Sequence, residues 1–598
     1  MNPKWELLLM EKKNPVHTAA FLNGYDSREF SPETVIARES AQNSMDAGRN
    51  ERGITEVQYR ELRIGGANKT KLLSLLHLDT LISSKLDSWS QSNRNRSFVD
   101  NAEHLLNDDQ ICALLISDRN TCGLGGALNR YDKGDHFSRL VCALNFDDKA
   151  DDNDNSGGSY GLGKTAYAKS SRINTVLYHS TFKADKASQG ASRRLMVSGV
   201  FPRHDNFGGF AYFGEQDPDD ETAAVPFEND NALKMWEQIS DLFGIDAKRP
   251  DNEYGTDVLI LMSNVDFASI RKSIEDYYFP AIVKKEIAFK FIDADNVETF
   301  PRPLERNDLD QFVKLFKELE AGTELTTTDK LLSKFRAEQN HKMGKFAFAA
   351  AEPDEADSEL ANSVAIIRGT NMVINYMKIG SDRYEPAVGV YVADEEIYKY
   401  LIASENAAHS EWNEKSPRLE RDFPIVGPAI VKSLNKRLKD RFFNFQKDLQ
   451  PDVAKSRSES GLLSKLLSNA LSGGPGDAPP PPGMPNPVSI SLQQTAREES
   501  ISRWRLLVQS NEHTPEKPFQ LNIMPSISLA GEKMIKLRHM EFTVAKDNGE
   551  ILAKGTKPEL AFSFEQGSVI DLIVSYSDPG RQNFVVSSKF VAQVERPE

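Results

Sequence analysis

Glu39, Asn43 and Asp46 stand together in the stretch ESAQNSMDA. On a helix, residues four and seven apart return to one face, so this spacing lines up a carboxylate, an amide and a second carboxylate. A carboxylate so placed can orient or deprotonate a water. An amide oxygen is a hard ligand suited to Mg²⁺, which keeps several waters and takes substrate phosphates as further partners. On a lone helix the same stripe would be an ordinary solvated face. Its meaning depends on what the rest of the chain brings to it.

Asp118 ends the apolar run ICALLISD and enters the glycine-rich turn RNTCGLGGA. A carboxylate at a buried strand end can accept from an exocyclic amine, and the glycines of the turn let a purine ring approach the backbone. Further on, GGSYGLGKTAYAKSS runs from Gly157 to Ser171. Gly158 to Thr165 fit G-x-x-x-x-G-K-T, a phosphate loop, while Gly158, Gly161 and Gly163 fit G-x-x-G-x-G. A phosphate loop needs an apolar strand running into its first glycine. Here the acidic run DDKADDNDNS precedes it, a solvated loop. The glycine spacing is therefore the better guide, with backbone N–H groups offered to phosphates. Gly255-Thr256 then opens the strand-like run GTDVLILM.

In this order the elements resemble those of the GHKL ATPases: DNA gyrase B, ninety-kilodalton heat-shock chaperones, histidine kinases and MutL. ESAQNSMDA resembles the first motif, E-x-x-x-N-S-x-D-A. GSYGLGKTAYA is similar to the chaperone lid motif, G-x-F-G-x-G-x-x-x-A. GTDV resembles the G-T-x-V strand that closes the site. The likeness runs from Glu33 to Leu261 and is nearest to MutL-like or MORC-like bacterial members. It implies an α+β protein: a GHKL (Bergerat) ATP-binding α/β sandwich, a transducer-like α+β domain and a C-terminal β-sandwich.

The resemblance also implies roles. Glu39 would be the general base acting on the attacking water, and Asn43 would bind Mg²⁺. Asp46 and Ala47 would shape the nucleotide pocket. Asp118 would accept from the adenine amino group, with Thr256 sharing that network. Gly158, Tyr160, Gly161, Leu162, Gly163, Lys164 and Thr165 would form the lid over the phosphates. Lys164 is then either a solvated lid lysine or a point charge for the γ-phosphate. Arg368 and Lys378 are the expected catalytic cations from the transducer-like domain, where charge develops on the γ-phosphate. One departure stands out. The family's second motif is D-x-G-x-G, but here the glycines are displaced, so which of Gly123, Gly125 and Gly126 lines the pocket stays open.

The elements that must hold these residues can be read along the chain. SPETVIARESAQNSMDAGRN reads as a helix, TEVQYRELRI and ICALLISD as strands, and the residues between those strands as an inserted helical element, about 66–108. The ATP-binding domain is expected over 1–265 and the transducer-like domain over 266–455. A Pro/Gly-rich linker follows over 456–490, centred on LSGGPGDAPPPPGMPNPVS. Residues 491–598 read as strands punctuated by Asp547-Asn548-Gly549 and Asp578-Pro579-Gly580. Glu405, His409 and Trp412 fall on one expected helical face in ASENAAHSEWNEK, where a satisfied structural histidine outweighs acid–base work.

A chain of 598 residues is too long for one core. Its net charge of −15 argues against bulk attraction to nucleic acid. Three cysteines without metal or disulfide spacing fit a reducing cytoplasm. No run of about 18 uncharged apolar residues predicts a membrane span. The function expected is Mg-dependent ATP binding and hydrolysis that drives lid closure and homodimerisation through the ATP-binding domain. MutL-like and MORC-like relatives imply a bacterial DNA-related or phage-defence/restriction complex. A helicase or nuclease would dock on the C-terminal sandwich, and DNA would act indirectly. The alternatives are a nucleotide-sensing scaffold, a histidine kinase and a P-loop NTPase. A histidine kinase needs an upstream helical hairpin, and only about 30 residues precede the first motif.

Overall fold

The computed structural model describes residues 2–10, 30–48, 53–128, 132, 134–142, 163–246, 249–250, 252–322, 324–352, 358–369, 371–380, 384–406 and 410–449. It also describes the strands within 488–595. The chain forms two compact units, Met1–Leu449 and Gln450–Glu598.

The first unit is built on an 11-stranded sheet. Its strands are β1 (Pro3–Leu9), β2 (Thr55–Gly65), β3 (Gln110–Arg119), β4 (Thr175–Thr181), β5 (Arg193–Val200), β6 (Phe207–Gln216), β7 (Ala224–Val225), β8 (Phe227–Glu228), β9 (Gly255–Leu261), β10 (Ile287–Ile292) and β11 (Glu298–Thr299). The order is β1-β6-β5-β4-β9-β3-β2-β10-β11, with β7 on β6 and β8 on β5. Among the described strands of this sheet, only β10 on β2 is a parallel pair. β4 and β9 are buried along their whole length, as strands covered on both faces must be.

Helices cover both faces. They are α1 (Pro32–Gly48), α2 (Gly66–Leu75), α3 (Leu78–Ser90), α4 (Arg96–Asn107), α5 (Gly163–Lys169), α6 (Asn229–Phe243) and α7 (Phe267–Val283). Alternation along β3 sends Leu114 and Ile116 to the core shared with α1 and α7. Ala113 and Leu115 go to the opposite core, shared with α2, α3, α4 and α6. The helices α2 to α4 lie in sequence between β2 and β3.

β10 and β11 lie beyond residue 265 yet extend this sheet. Ile287, Phe289 and Phe291 alternate into the core, and pairing with β2 covers an edge that would otherwise be open. The chain then builds a six-stranded sheet, ordered β12-β13-β14-β17-β15-β16. Its strands are β12 (Leu325–Thr326), β13 (Lys330–Lys334), β14 (Lys345–Ala350), β15 (Ser363–Arg368), β16 (Met372–Lys378) and β17 (Ala387–Val392). The helix α8 (Asp310–Glu320) packs Phe312, Phe316 and Leu319 against one face of it. After α9 (Tyr398–Ser404) and α10 (Pro417–Asp422), the long α11 (Val426–Asp448) buries Leu434, Leu438 and Phe442 with Phe348 of β14. One apolar core runs from β3 through α1 and α7 to this second sheet.

Described by itself, the second unit holds two antiparallel sheets, ordered β18-β19-β24-β21-β22 and β23-β20-β25. The strands are β18 (Val488–Glu498), β19 (Ile501–Ser510), β20 (Phe519–Leu529), β21 (Glu541–Lys546), β22 (Ile551–Gly555), β23 (Leu560–Phe564), β24 (Val569–Ser577) and β25 (Val586–Glu595). β18 begins inside the segment read as linker, because VSISLQQ alternates once past the last proline. The rest of the expected linker lies outside the described residues. Among the described residues, no helix is long and apolar enough to cross a membrane.

Candidate nucleotide site

α1 is almost entirely wrapped by protein. Val35 to Arg38, Ser40 to Gln42, Ser44 and Gly48 are buried; Pro32 is exposed, and Glu33, Thr34, Glu39, Asn43, Met45, Asp46 and Ala47 are half-buried. The stripe expected to carry chemistry is thus among the parts of α1 that the core leaves half-covered. Asn43 Nδ2 donates to the Tyr167 hydroxyl at 3.5 Å. Tyr167 is 3 % exposed, and burial raises its phenol above the usual range.

Asp118 sits where the sheet ends beside this helix. In β3 it shares the alternation of Leu114 and Ile116, so it lies on the α1 face. Its Oδ1 accepts from the Thr121 hydroxyl at 2.7 Å and from the Thr256 N–H at 2.8 Å. Its Oδ2 accepts from the Ser44 hydroxyl at 3.1 Å. An ionised carboxylate has about four acceptor positions, so one on Oδ2 is not used by these three donors. Burial pushes this carboxyl up, against the pull of Arg249 and the three donors.

Thr256 lies on the same face, since β3 and β9 pair with Ser117 opposite Asp257. Ser180 of β4 completes the network: its Oγ is 3.3 Å from Thr256 Oγ1, donates to the Gly255 carbonyl at 2.8 Å and accepts from Leu124 N–H at 2.8 Å. Gly255 is required here. A Cβ would fall 2.2 Å from the Asp118 carbonyl oxygen and 2.3 Å from Arg249 Nη1.

The turn after β3 is fastened to α1 by Cys122 N–H donating to the Ala47 carbonyl at 2.9 Å. Its glycines answer packing needs. Gly123 has φ +66°, and a Cβ there would meet the Thr181 carbonyl oxygen at 2.3 Å. At Gly126, with φ +92°, it would meet Asp135 Cα at 2.4 Å. Gly125 is the half-buried one of the three, against Phe182.

Gly158, Tyr160, Gly161 and Leu162 lie outside the described residues, as does the acidic run before them. Gly163 and Lys164 begin α5. Thr165 is fully buried, and its Oγ1 has no hydrogen-bond partner among the described residues.

Arg368, expected as a catalytic cation, is committed elsewhere. It is 1 % exposed and forms a buried two-point pair with Glu405, donating through Nε to Oε1 and through Nη2 to Oε2 at 2.9 Å. Trp412 Nε1 donates to the same carboxylate at 3.3 Å. Glu405 and Trp412 do not share a helical face. α9 stops at Ser404, and the two residues form an antiparallel bridge that carries the indole to the carboxylate. His409 is outside the described residues. Lys378 is exposed at the end of β16.

Ser44, Thr121, Tyr167 and Ser180 carry no assignment in the sequence reading. Ser44, Thr121 and Tyr167 lie inside stretches already quoted, so their spacing was the available signal. No group of three or more potential metal-ligating side chains occurs among the described residues. A cavity of about 550 Å³ lies elsewhere, between β13 and α11, and Arg336, Arg437 and Arg441 line it.

No protein-family model and no curated protein matches this sequence. Among solved structures, the chain is similar to the ATPase region of Saccharomyces cerevisiae topoisomerase II. The identity is 9 % and the TM-score 0.28, over 60 % of this chain and 73 % of that one. For the same region bound to ICRF-187 (dexrazoxane), the values are 9 %, 0.31, 68 % and 86 %. Likenesses this loose decide nothing about the site, whose own geometry must.

Proposed function

We propose that the first unit binds ATP against α1 and the ends of β3 and β9 and hydrolyses it as a GHKL-type ATPase. The observation that carries this is Asp118. It is a buried carboxylate held by three donors, with acceptor capacity on Oδ2, beside the half-buried stripe of a helix bearing Glu39, Asn43 and Asp46. A buried acceptor next to half-exposed acidic and amide groups suits a ligand with an amine-bearing base at one end and phosphates at the other.

Asp118 accepts from the exocyclic amine of adenine, and Thr256, Thr121 and Ser44 keep it oriented. Asn43 offers its amide oxygen to Mg²⁺, since Tyr167 engages the amide nitrogen. The Mg²⁺ supplies charge neutralisation at the phosphates. Glu39 orients and deprotonates the attacking water. Lys164 and Lys378 are the basic residues left to face the γ-phosphate, Arg368 being held by Glu405. The lid glycines close over the phosphates, and two nucleotide-binding regions pair when they do. The MutL-like and MORC-like resemblance favours a DNA-related complex as the setting, with any helicase or nuclease partner on the second unit.

The test is Glu39→Ala. Removing a general base lowers turnover by about 10²–10⁴ and leaves ground-state contacts in place. Phosphate release should fall by that factor while ATP affinity stays near wild type. Hydrolysis at the wild-type rate would sink the assignment.

A further inference from the structure

Behind Asp118 lies a buried charged cluster that the chemistry above does not use. Arg249, in the segment before β9, is 6 % exposed. Its Nε donates to Asp257 Oδ2 at 2.9 Å and its Nη2 to Asp257 Oδ1 at 2.7 Å. Nη2 also donates to the Thr256 carbonyl at 3.1 Å. His179 Nδ1 lies 2.9 Å from Asp257 Oδ2, and its ring stacks on Trp236 with centroids 4.9 Å apart. Two-point pairing with Asp257 leaves the guanidinium little freedom to turn.

Alternation along β9 puts Asp257 on the face opposite Thr256, together with Leu259, Leu261 and Trp236. Arg249 therefore spans the end of the sheet. Its remaining nitrogen, Nη1, is buried without a hydrogen-bond partner among the described residues. It lies on the Asp118 side, because a Cβ at Gly255 would be 2.3 Å from Arg249 Nη1 and 3.0 Å from Asp118 Oδ1. Gly255 keeps open the gap across which guanidinium and carboxylate face each other.

Building on the ATP site above, we propose that Arg249, clamped by Asp257, is a positioning residue that keeps Asp118 an ionised acceptor and so makes the pocket select an amine-bearing base over a carbonyl-bearing one. The Thr256 N–H can only donate, and with Thr121 it occupies Oδ1. A proton on Asp118 would therefore sit on Oδ2, on the position left for the base. Ionised, that position accepts from adenine. Protonated, it donates to the carbonyl of guanine.

Burial favours the protonated form, and Arg249 is the largest influence against it. The other charged or titratable groups nearby are Glu39 and Asp46 on α1, Tyr167 on α5, Asp257 and His179 across the sheet end, Arg193 on β5, and Glu253 paired with Arg119 at 2.8 Å. Arg249 is the charged partner that acts on Asp118 itself.

The experiment is calorimetric titration of ATP and of GTP into the full chain between about pH 6 and pH 8.5, with melting followed in parallel. Wild type should bind ATP and prefer it to GTP across this range. Arg249→Met should lose at least about tenfold in ATP affinity at the acid end, recover it as pH rises, and narrow the ATP-to-GTP ratio by a similar factor. Arg249→Gln removes the charge but keeps a polar group and should give the same trends, so it serves if the Met variant does not fold. A folded variant of either kind with the wild-type pH profile and an unchanged ratio overturns the inference. Failure of wild type to bind ATP at all would instead overturn the ATP reading.

Discussion

Replacing Asp118 by Asn exchanges one oxygen for an NH₂ group at nearly constant shape, which makes it a sharp test of the base pocket. The orientation of the new amide is dictated by its neighbours. Thr256 N–H lies 2.8 Å from Oδ1 and cannot accept, so the amide oxygen must stay there. The NH₂ group then replaces Oδ2, facing Ser44 Oγ at 3.1 Å, and that hydroxyl can rotate to accept. Folding should lose little, about 1 kcal/mol for the weakened hydrogen bonds. Binding should lose much more. A hydrogen bond to a charged acceptor is worth about 1.5–3 kcal/mol. Turning acceptor into donor opposite the adenine amine leaves both groups buried and unsatisfied, a further cost of about 1–3 kcal/mol. The total, about 3–6 kcal/mol, is two to four powers of ten in Kd. Titration calorimetry with ATP, beside urea unfolding of the same samples, reads both quantities. An Asn variant that binds ATP within about fivefold of wild type would refute the placement of the base at Asp118.

Two further outcomes concern stability. Arg368→Met should cost about 3–5 kcal/mol in urea unfolding, because it strands the fully buried Glu405 carboxylate. Adding Glu405→Gln should recover most of that, and failure to recover would show that the pair is not the cause. His179 gives a pH signature. Burial lowers its folded-state pKa, with the Asp257 contact pulling the other way. A depressed value means the unfolded chain takes up a proton the folded chain refuses. Stability from this group is complete above about pH 6.5 and is lost as pH falls toward the folded value, with a slope of at most about 1.4 kcal/mol per unit. Urea midpoints between pH 7.5 and 5.5 should therefore fall less in His179→Gln than in wild type, and equal slopes would contradict a neutral buried imidazole.

How far the sequence anticipates the structure depends on whether a feature is local. The α1 stripe is readable because helical spacing alone places Glu39, Asn43 and Asp46, and the core then covers most of the remaining sides. Asp118 and Thr256 are readable because each sits at the end of an apolar run, and antiparallel pairing of such runs brings strand ends together. Arg249 is invisible in AKRPDNEYG, since its partners are Asp257, eight residues on, and Asp118, far back in the chain. Arg368 misled for the same reason. At the end of VAIIR it looks like a free basic terminus, but Glu405 neutralises it from a segment with no helical or strand period of its own. The boundary expected at residue 265 overlooks IAFKFI, whose alternation marks a strand without saying which sheet it joins.

α1 joins the candidate site to the second sheet of the first unit. The half-buried stripe of α1 faces the proposed ligand, and its buried side is bound to elements that follow the first sheet. Arg38, one residue before Glu39, donates through Nη1 to the carbonyls of Val373 at 3.0 Å and Ile374 at 3.2 Å in β16. Its guanidinium carbon lies 4.6 Å from the ring centres of both Phe30 and Tyr277. Tyr278 of α7 donates to the Arg38 carbonyl at 2.7 Å, and Thr34 Oγ1 is 3.0 Å from Ser273 Oγ. A buried guanidinium with these partners resists separation, because pulling β16 away would leave a charge and two carbonyls unsatisfied. The α1 that presents Glu39 and Asn43 is thereby locked in register with the six-stranded sheet. Any shift of α1 must carry β16 with it or break this contact, and close packing favours the first.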